Sequence, residues 1–259
     1  VPSSPETVEV DFITPRHLAG GGDPAWITVP LHRACGWSHG HDPLMPRVLL
    51  SSPDQKALLR LEPDPAGQWW TLSHAAEPDK PAWYASFGAR TPVELIGAVT
   101  DALTDPAPPA DALSDPYMPL RQIGWSTAST DNGLASPDNT AFVSRLGSVE
   151  DPGAWFVTAA LAQNRPVWQA RFGEHTPARL VTAFTAALAD PKPVHRIDSG
   201  RSIPTRDPNI VTRQTTDVRA DLLAGALEER VRSLAARQAT PPTSPAPSRQ
   251  PPANKRRSR

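Results

Sequence analysis

The chain has one cysteine, Cys35, in 259 residues. No disulfide can form within it, and a reducing interior is the expected setting. It has no apolar run long enough to span a bilayer. The opening VPSSPETVEV has neither the charged stretch nor the hydrophobic stretch of a secretory signal. A cytoplasmic protein with no membrane partner is expected. A convincing phosphate loop is lacking too. AGGGDP, from Ala19, has neither the Lys-Ser/Thr of a P-loop nor a strand–helix setting, and reads as a flexible joint. A basic excess is missing from most of the chain. The net charge of −1 divides into +5 on the tail from Pro241 to Arg259 and −6 on everything before it. That balance argues against a domain built around a large basic nucleic-acid groove.

Proline is plentiful, with 32 residues, which suggests folded units separated by stiff connectors. The units are legible because the chain repeats itself. WYASFGARTPVELIGAVTDALTDP, from Trp83 to Pro106, returns as WQARFGEHTPARLVTAFTAALADP, from Trp168 to Pro191, 85 positions later. At that offset Trp70 matches Trp155, Arg60-Leu61 matches Arg145-Leu146 and Leu95 matches Leu180. Ser52-Pro53-Asp54 pairs with Ser136-Pro137-Asp138, and Gly36-Trp37 with Gly124-Trp125, slightly out of step. This is a duplicated unit.

Each copy reads as four short strands and a helix. Ser-Pro-Asp marks a hairpin turn, because proline presets φ and aspartate bonds the backbone ahead of it. Thr91-Pro92 opens the helix of the first copy as N-cap and N1, with Glu94 placed for a capping box. Strand side chains alternate in direction. The recurring Trp83, Ala85 and Phe87, with Trp168, Ala170 and Phe172, therefore form one face, expected to be a core beneath the helix. The positions between them differ and form the second face. The fold class is α+β: two tandem ββββα modules, each an antiparallel sheet with one helix on one face, then a C-terminal helix and a disordered basic tail.

The expected boundaries are an N-terminal segment over 1–24, a first module over 25–106, a Pro-rich linker over 107–118 and a second module over 119–191. An irregular linker over 192–215 follows, then an amphipathic helix over 216–238 and a disordered tail over 239–259. The Ser-Pro-Asp turns, the Gly-Trp pairs, AWYASFGARTPVELI and PLHRACGWSHGHDP together resemble the SPDY domain family of actinobacteria, over about Val8 to Pro191. Gln55 and Asn139 stand where the family's name places tyrosine. The family has no settled function, so the resemblance implies no catalytic residues.

Two constellations could carry chemistry. His32, Cys35, His39 and His41 lie within ten positions, and imidazole and thiolate are ligands for zinc or another borderline metal. Their H-x2-C-x3-H-x-H spacing is not that of a common finger or ribbon. The alternative is a buried thiol beside a turn, followed by surface histidines. A thiol enzyme using Cys35 and His32 needs a lowered thiol pKa and an oriented base, and proximity alone provides neither. The second constellation is the variable sheet face, assigned Arg60, Trp69, Tyr84, Arg145, Phe156, Gln169 and Arg171. Aromatics interleaved with arginine form a stacking platform for single-stranded nucleic acid. The competing expectation is that these faces bury one another when the modules dock. The reading that follows is a non-enzymatic binding or adaptor protein without a cofactor, most simply with a protein partner. The alternatives are, in order, single-stranded nucleic-acid binding and a metal or thiol site at Cys35.

Overall fold

A computed structural model describes residues 6–40, 47–62, 68–108, 111, 114–128, 133–147, 153–162, 165–197, 199 and 203–239. Strand β1 (Thr7–Thr14) leads through a short 3-10 turn to helix α1 (Ala25–Arg33). The first module continues as β2 (Ser38–Gly40), β3 (Val48–Ser51), β4 (Ala57–Leu61), β5 (Gln68–His74), β6 (Trp83–Gly88) and helix α2 (Val93–Leu103). The second repeats that order: α3 (Met118–Gln122), β7 (Ser126–Thr127), β8 (Gly133–Ala135), β9 (Ala141–Arg145), β10 (Trp155–Ala162), β11 (Arg165–Phe172) and α4 (Ala178–Ala189). Strands β12 (Val194–Ile197) and β13 (Thr212–Arg219) then precede helix α5 (Ala220–Ala239).

The modules are α+β units, and they join by their edges. One antiparallel sheet of ten strands runs β2-β3-β4-β5-β6-β11-β10-β9-β8-β7. At its centre the last strands of the two copies pair, with Phe87 opposite Ala170, Ser86 opposite Arg171 and Ala85 opposite Phe172. The seam is extended by the Gly173 amide and the Thr176 hydroxyl, which donate to the Tyr84 carbonyl at 2.8 and 3.0 Å. The expectation that the variable faces bury each other is therefore corrected. Pairing edge to edge satisfies the backbone groups of both last strands and leaves one sheet face uncovered by the described residues.

The shared face is the core. Trp83, Ala85, Phe87, Trp168, Ala170 and Phe172 are all buried, with α2 and α4 packed side by side over them. Phe184 of α4 closes the junction, its ring 5.9 Å from Phe87, 5.4 Å from Phe172 and 6.2 Å from Trp168. The capping box expected at α2 does not form. The helix begins at Val93 with Pro92 as N-cap, and no side chain caps it. Glu94 instead receives a two-pronged ion pair from Arg196, at 2.7 and 2.8 Å. An arginine fork onto a carboxylate outcompetes a single capping bond.

Arg196 belongs to a second sheet that the sequence reading missed. Order β12-β1-β13 gathers the N-terminal segment and two strands from the supposed irregular linker into a three-stranded antiparallel sheet. Residues 216–219, expected to open the helix, complete β13, and α5 starts at Ala220. Buried Asp11 stitches this sheet together, accepting from Arg213 Nε and Thr215 Oγ1 at 2.7 Å each and from the Ser199 hydroxyl. α5 returns to the first module, where Arg230 grips Asp101 at 2.8 and 2.9 Å and lies over Trp26. The tail beyond residue 239 lies outside the described residues.

Candidate functional site

The uncovered sheet face is built by the alternation that buries the other. In β5, Trp70 is 2% exposed and its neighbour Trp69 is 38% exposed. One row of outward side chains crosses both modules: Arg60 is opposite Thr71, Thr71 opposite Ser86, Ser86 opposite Arg171, Arg171 opposite Phe156 and Phe156 opposite Ser144. Leu58, Trp69, Tyr84 and Phe142 are exposed beside it. At the seam the Arg171 guanidinium lies over two rings, 5.4 Å from the centroid of Tyr84 and 5.6 Å from that of Phe156. Stacking between rings holds a planar cation in place without consuming its hydrogen-bond donors. Among the described residues no carboxylate pairs with Arg171. Strands β4, β5, β6, β9, β10 and β11 contain no Asp or Glu at all.

Six of the seven residues assigned to this face are on it: Arg60, Trp69, Tyr84, Phe156, Gln169 and Arg171. Arg145 is not. It shares the inward parity of Ala141 and Val143, pairs with Trp155, and its guanidinium covers that indole at 5.5 Å. Leu58 and Phe142 complete the face and were overlooked. The signal was present, since each stands between residues that are buried, Ala57 and Leu59 in one case and Ala141 and Val143 in the other.

On the other side of the molecule each Ser-Pro-Asp turn borders a cleft. The serine hydroxyl accepts the amide of Ala57, or of Ala141, at 2.9 Å and donates to Asp54, or Asp138. Both hydroxyls are thereby engaged as backbone clamps and are not poised as nucleophiles. Gln55 and Asn139 close the turns in the left-handed region, at φ 58° and 56°, where most side chains are disfavoured. The cleft of the first module, about 310 Å³, is lined by Trp37, Asp54, His74 and Leu103, with Cys35 and Gln238 at its flank. The cleft of the second, about 420 Å³, is lined by their counterparts Trp125, Asp138 and Leu188, with Arg16 and His17 brought from the N-terminal segment.

A family model matches residues 51–109 and again residues 135–194; it is that of the SPDY domain, a domain of unknown function (DUF317). The chain carries two SPDY domains. No curated protein and no solved structure matches it. Each matched segment opens one residue before the turn serine and runs past the helix. The turn, the last three long strands and the helix thus make up each matched segment, and α1, α3 and all of the three-stranded sheet but Val194 lie outside.

The Cys–His constellation belongs to the approach to the first SPDY domain. His32 and His39 meet, with ring centroids 5.0 Å apart, but His32 Nδ1 is bound to the Trp37 carbonyl at 2.8 Å. Cys35 turns away toward α5, with Gln238 Nε2 4.0 Å from its sulfur. Burial pushes the Cys35 thiol pKa up, opposite to what a thiolate nucleophile or ligand needs. His41 lies outside the described residues. Among the described residues no three His, Cys, Asp or Glu groups converge as a metal site.

His17 is the most perturbed group of the second cleft. Burial lowers its pKa to about 4, against a smaller opposing pull from Asp138. Its Nε2 lies 2.6 Å from the Thr140 hydroxyl. The imidazole is therefore neutral at pH 7. Asp138 is held below its ordinary range: burial works against ionisation, and the Ser136 hydroxyl and the Thr140 amide overcome it. No helix among the described residues is long and apolar enough to cross a membrane.

Proposed function

We propose that this tandem SPDY-domain protein is a non-enzymatic binding protein, that its working surface is the open face of the ten-stranded sheet, and that its ligand is another protein. The supporting observation is Arg171, held between Tyr84 and Phe156 at the seam of the two domains and unmatched by any carboxylate on the six strands around it. Arg, Trp and Tyr supply most of the binding energy at the centres of protein interfaces. Here Arg171 and Tyr84 meet at the seam, and Trp69, Leu58 and Phe142 are exposed elsewhere on the same face. Arg60 faces Glu62 at 3.5 Å, so Arg171 is the unmatched charge at the seam, and a guanidinium set among exposed aromatics selects a partner that brings an acidic group beside an apolar one. The engaged turn serines and the half-buried Cys35 thiol, its pKa pushed up, also favour binding over catalysis.

A second reading, single-stranded nucleic acid, is favoured by one feature: the same aromatics alternate with arginine on strands without acids. It has a quantitative signature. Arg171, with Arg60 already facing Glu62 at 3.5 Å, neutralises about one to two phosphates, so log K should fall with log salt at a slope of about −0.7 to −1.4.

A photo-crosslinking amino acid at position 84 or 142, installed in the full chain and irradiated in its native host, tests both. A discrete protein adduct is expected from both sites, absent from position 222 on α5 and lost in Arg171→Glu. Adducts that are equally strong from position 222 or insensitive to Arg171→Glu would reject the proposed face. Saturable quenching of tryptophan fluorescence by oligo(dT), with the shallow salt slope, would replace the first reading with the second.

A further inference from the structure

We propose a small-molecule site separate from the sheet face: the cleft beneath the Ser136-Pro137-Asp138 turn takes a small organic cation with an apolar body, such as a primary amine on an aromatic or branched carbon skeleton. At about 420 Å³ the cleft is in the size range of ligand pockets, about 300–1,000 Å³. It is also pre-formed, because its walls belong to separately anchored elements. Trp125 and Leu188 belong to the second domain's core. Arg16 is tied to Asp190 at 2.7 Å and to the Lys192 carbonyl at 3.2 Å. Ile210 and Pro15 add apolar wall.

The charge of the ligand follows from the charges left over. Arg16 is matched by Asp190, so neither contributes a net field. His17 is deeply buried, spends its Nε2 on the Thr140 hydroxyl, and is uncharged at neutral pH. What remains is Asp138, an exposed carboxylate on the cleft lining. Its Oδ1 accepts the Ser136 hydroxyl and the Thr140 amide, and no Lys or Arg pairs with it among the described residues. A fixed carboxylate on a cleft whose other charged groups, Arg16 and Asp190, are paired with each other favours a cation and rejects an anion of the same shape. Indole lining the cavity adds to that preference.

The duplicated cleft is a second observation pointing the same way. In the first domain Trp37, Asp54 and Leu103 take the same positions, and Asp54 too has no Lys or Arg paired with it among the described residues. There Gln238 of α5 reaches in and donates to the Thr104 carbonyl. The first cleft is therefore partly filled from within, and the second is the larger.

The test uses the full chain at neutral pH with phenethylamine as cation and 3-phenylpropionate as its near-isosteric anion. Both are followed by saturation-transfer NMR and by tryptophan fluorescence. Saturable binding of the amine is expected, at least tenfold tighter than the anion. Asp138→Asn keeps an oxygen for Ser136 and Thr140 and should weaken amine binding five- to tenfold. Ile123→Lys, at a position exposed on the cleft lining, should weaken it similarly without touching the turn. Arg171→Glu on the sheet face should leave it unchanged, so this inference and the proposed function fail separately. Equal affinity for the anion, no saturable binding at millimolar amine, or full affinity in folded Asp138→Asn and Ile123→Lys variants would overturn the proposal.

Discussion

Trp168 donates its indole N–H to the backbone carbonyl of His17 at 2.7 Å, tying the core of the second domain to a segment 151 positions earlier. The equivalent Trp83 of the first domain is instead stacked on His74, with centroids 5.5 Å apart. At the repeat offset of 85, His74 corresponds to Ala159. Each turn aspartate nevertheless has an imidazole near it, His74 for Asp54 and His17 for Asp138. The second copy obtains its histidine from outside the repeat.

Trp168→Phe should therefore cost more than Trp83→Phe. It strands the buried His17 carbonyl, worth about 1–3 kcal/mol; the Trp83 change mainly trims packing. Urea midpoints of the two variants at pH 7 check the order, and equal losses would contradict it.

Acid should loosen the second cleft early. The folded-state pKa of His17 is depressed to about 4 from an ordinary 6.5, so the unfolded chain binds the proton first as pH falls. The contribution is whole above pH 6.5, declines from 6.5 to 4, and levels off below. Its full size is on the order of 3 kcal/mol. His17→Gln should flatten the stability profile across that window. Asp11 acts lower down. Burial raises its pKa, but bonds from Arg213, Ser199 and Thr215 bring it down to about 2 from 3.8. Its contribution is therefore present above 3.8 and lost between 3.8 and 2. Chemical denaturation at stepped pH resolves the two windows.

Phe184→Ala should destabilise both domains together. Its ring touches Trp168 and Phe172 in one and Phe87 in the other, and a buried Phe→Ala change costs about 3–5 kcal/mol. One cooperative thermal transition at lower temperature is expected by calorimetry. Two separated transitions would show that the seam does not couple the domains.

Arg230→Ala should release α5 first. Its guanidinium makes two bonds to Asp101 and one to the Trp26 carbonyl, and removing it leaves Asp101 with Arg237 at 3.5 Å as its remaining partner. Hydrogen exchange across 220–239 should accelerate well before that in β6 and β11. Unchanged exchange would mean that buried Val231 and Leu234, with the Gln238–Thr104 and Arg33–Glu228 contacts, hold the helix without Arg230.

What could be read in advance was local and periodic. The Trp-Ala-Phe ribs were visible because duplication preserves the buried face and relaxes the other, as Tyr84 and Ser86 against Gln169 and Arg171 show. The three-stranded sheet was invisible for the opposite reason. Its pairs join Val10 to Ile197 and Glu9 to Asp217, and β13, TRQTTDVR, is exposed at nearly every position, so no alternation announces it. Arg145 was misplaced because its counterpart Arg60 faces outward; one step in parity at the end of a strand reverses a side chain. The cleft escaped notice because His17 and Asp138 belong to segments with no common pattern.

The pairing of β6 with β11 has a consequence for how such a gene could arise. A lone copy of the unit would end in a bare hydrogen-bonding edge and would need to meet that edge on another molecule. Doubling the coding segment supplies the mate on the same chain, so the tandem protein is in effect a dimer whose two halves can never be diluted apart.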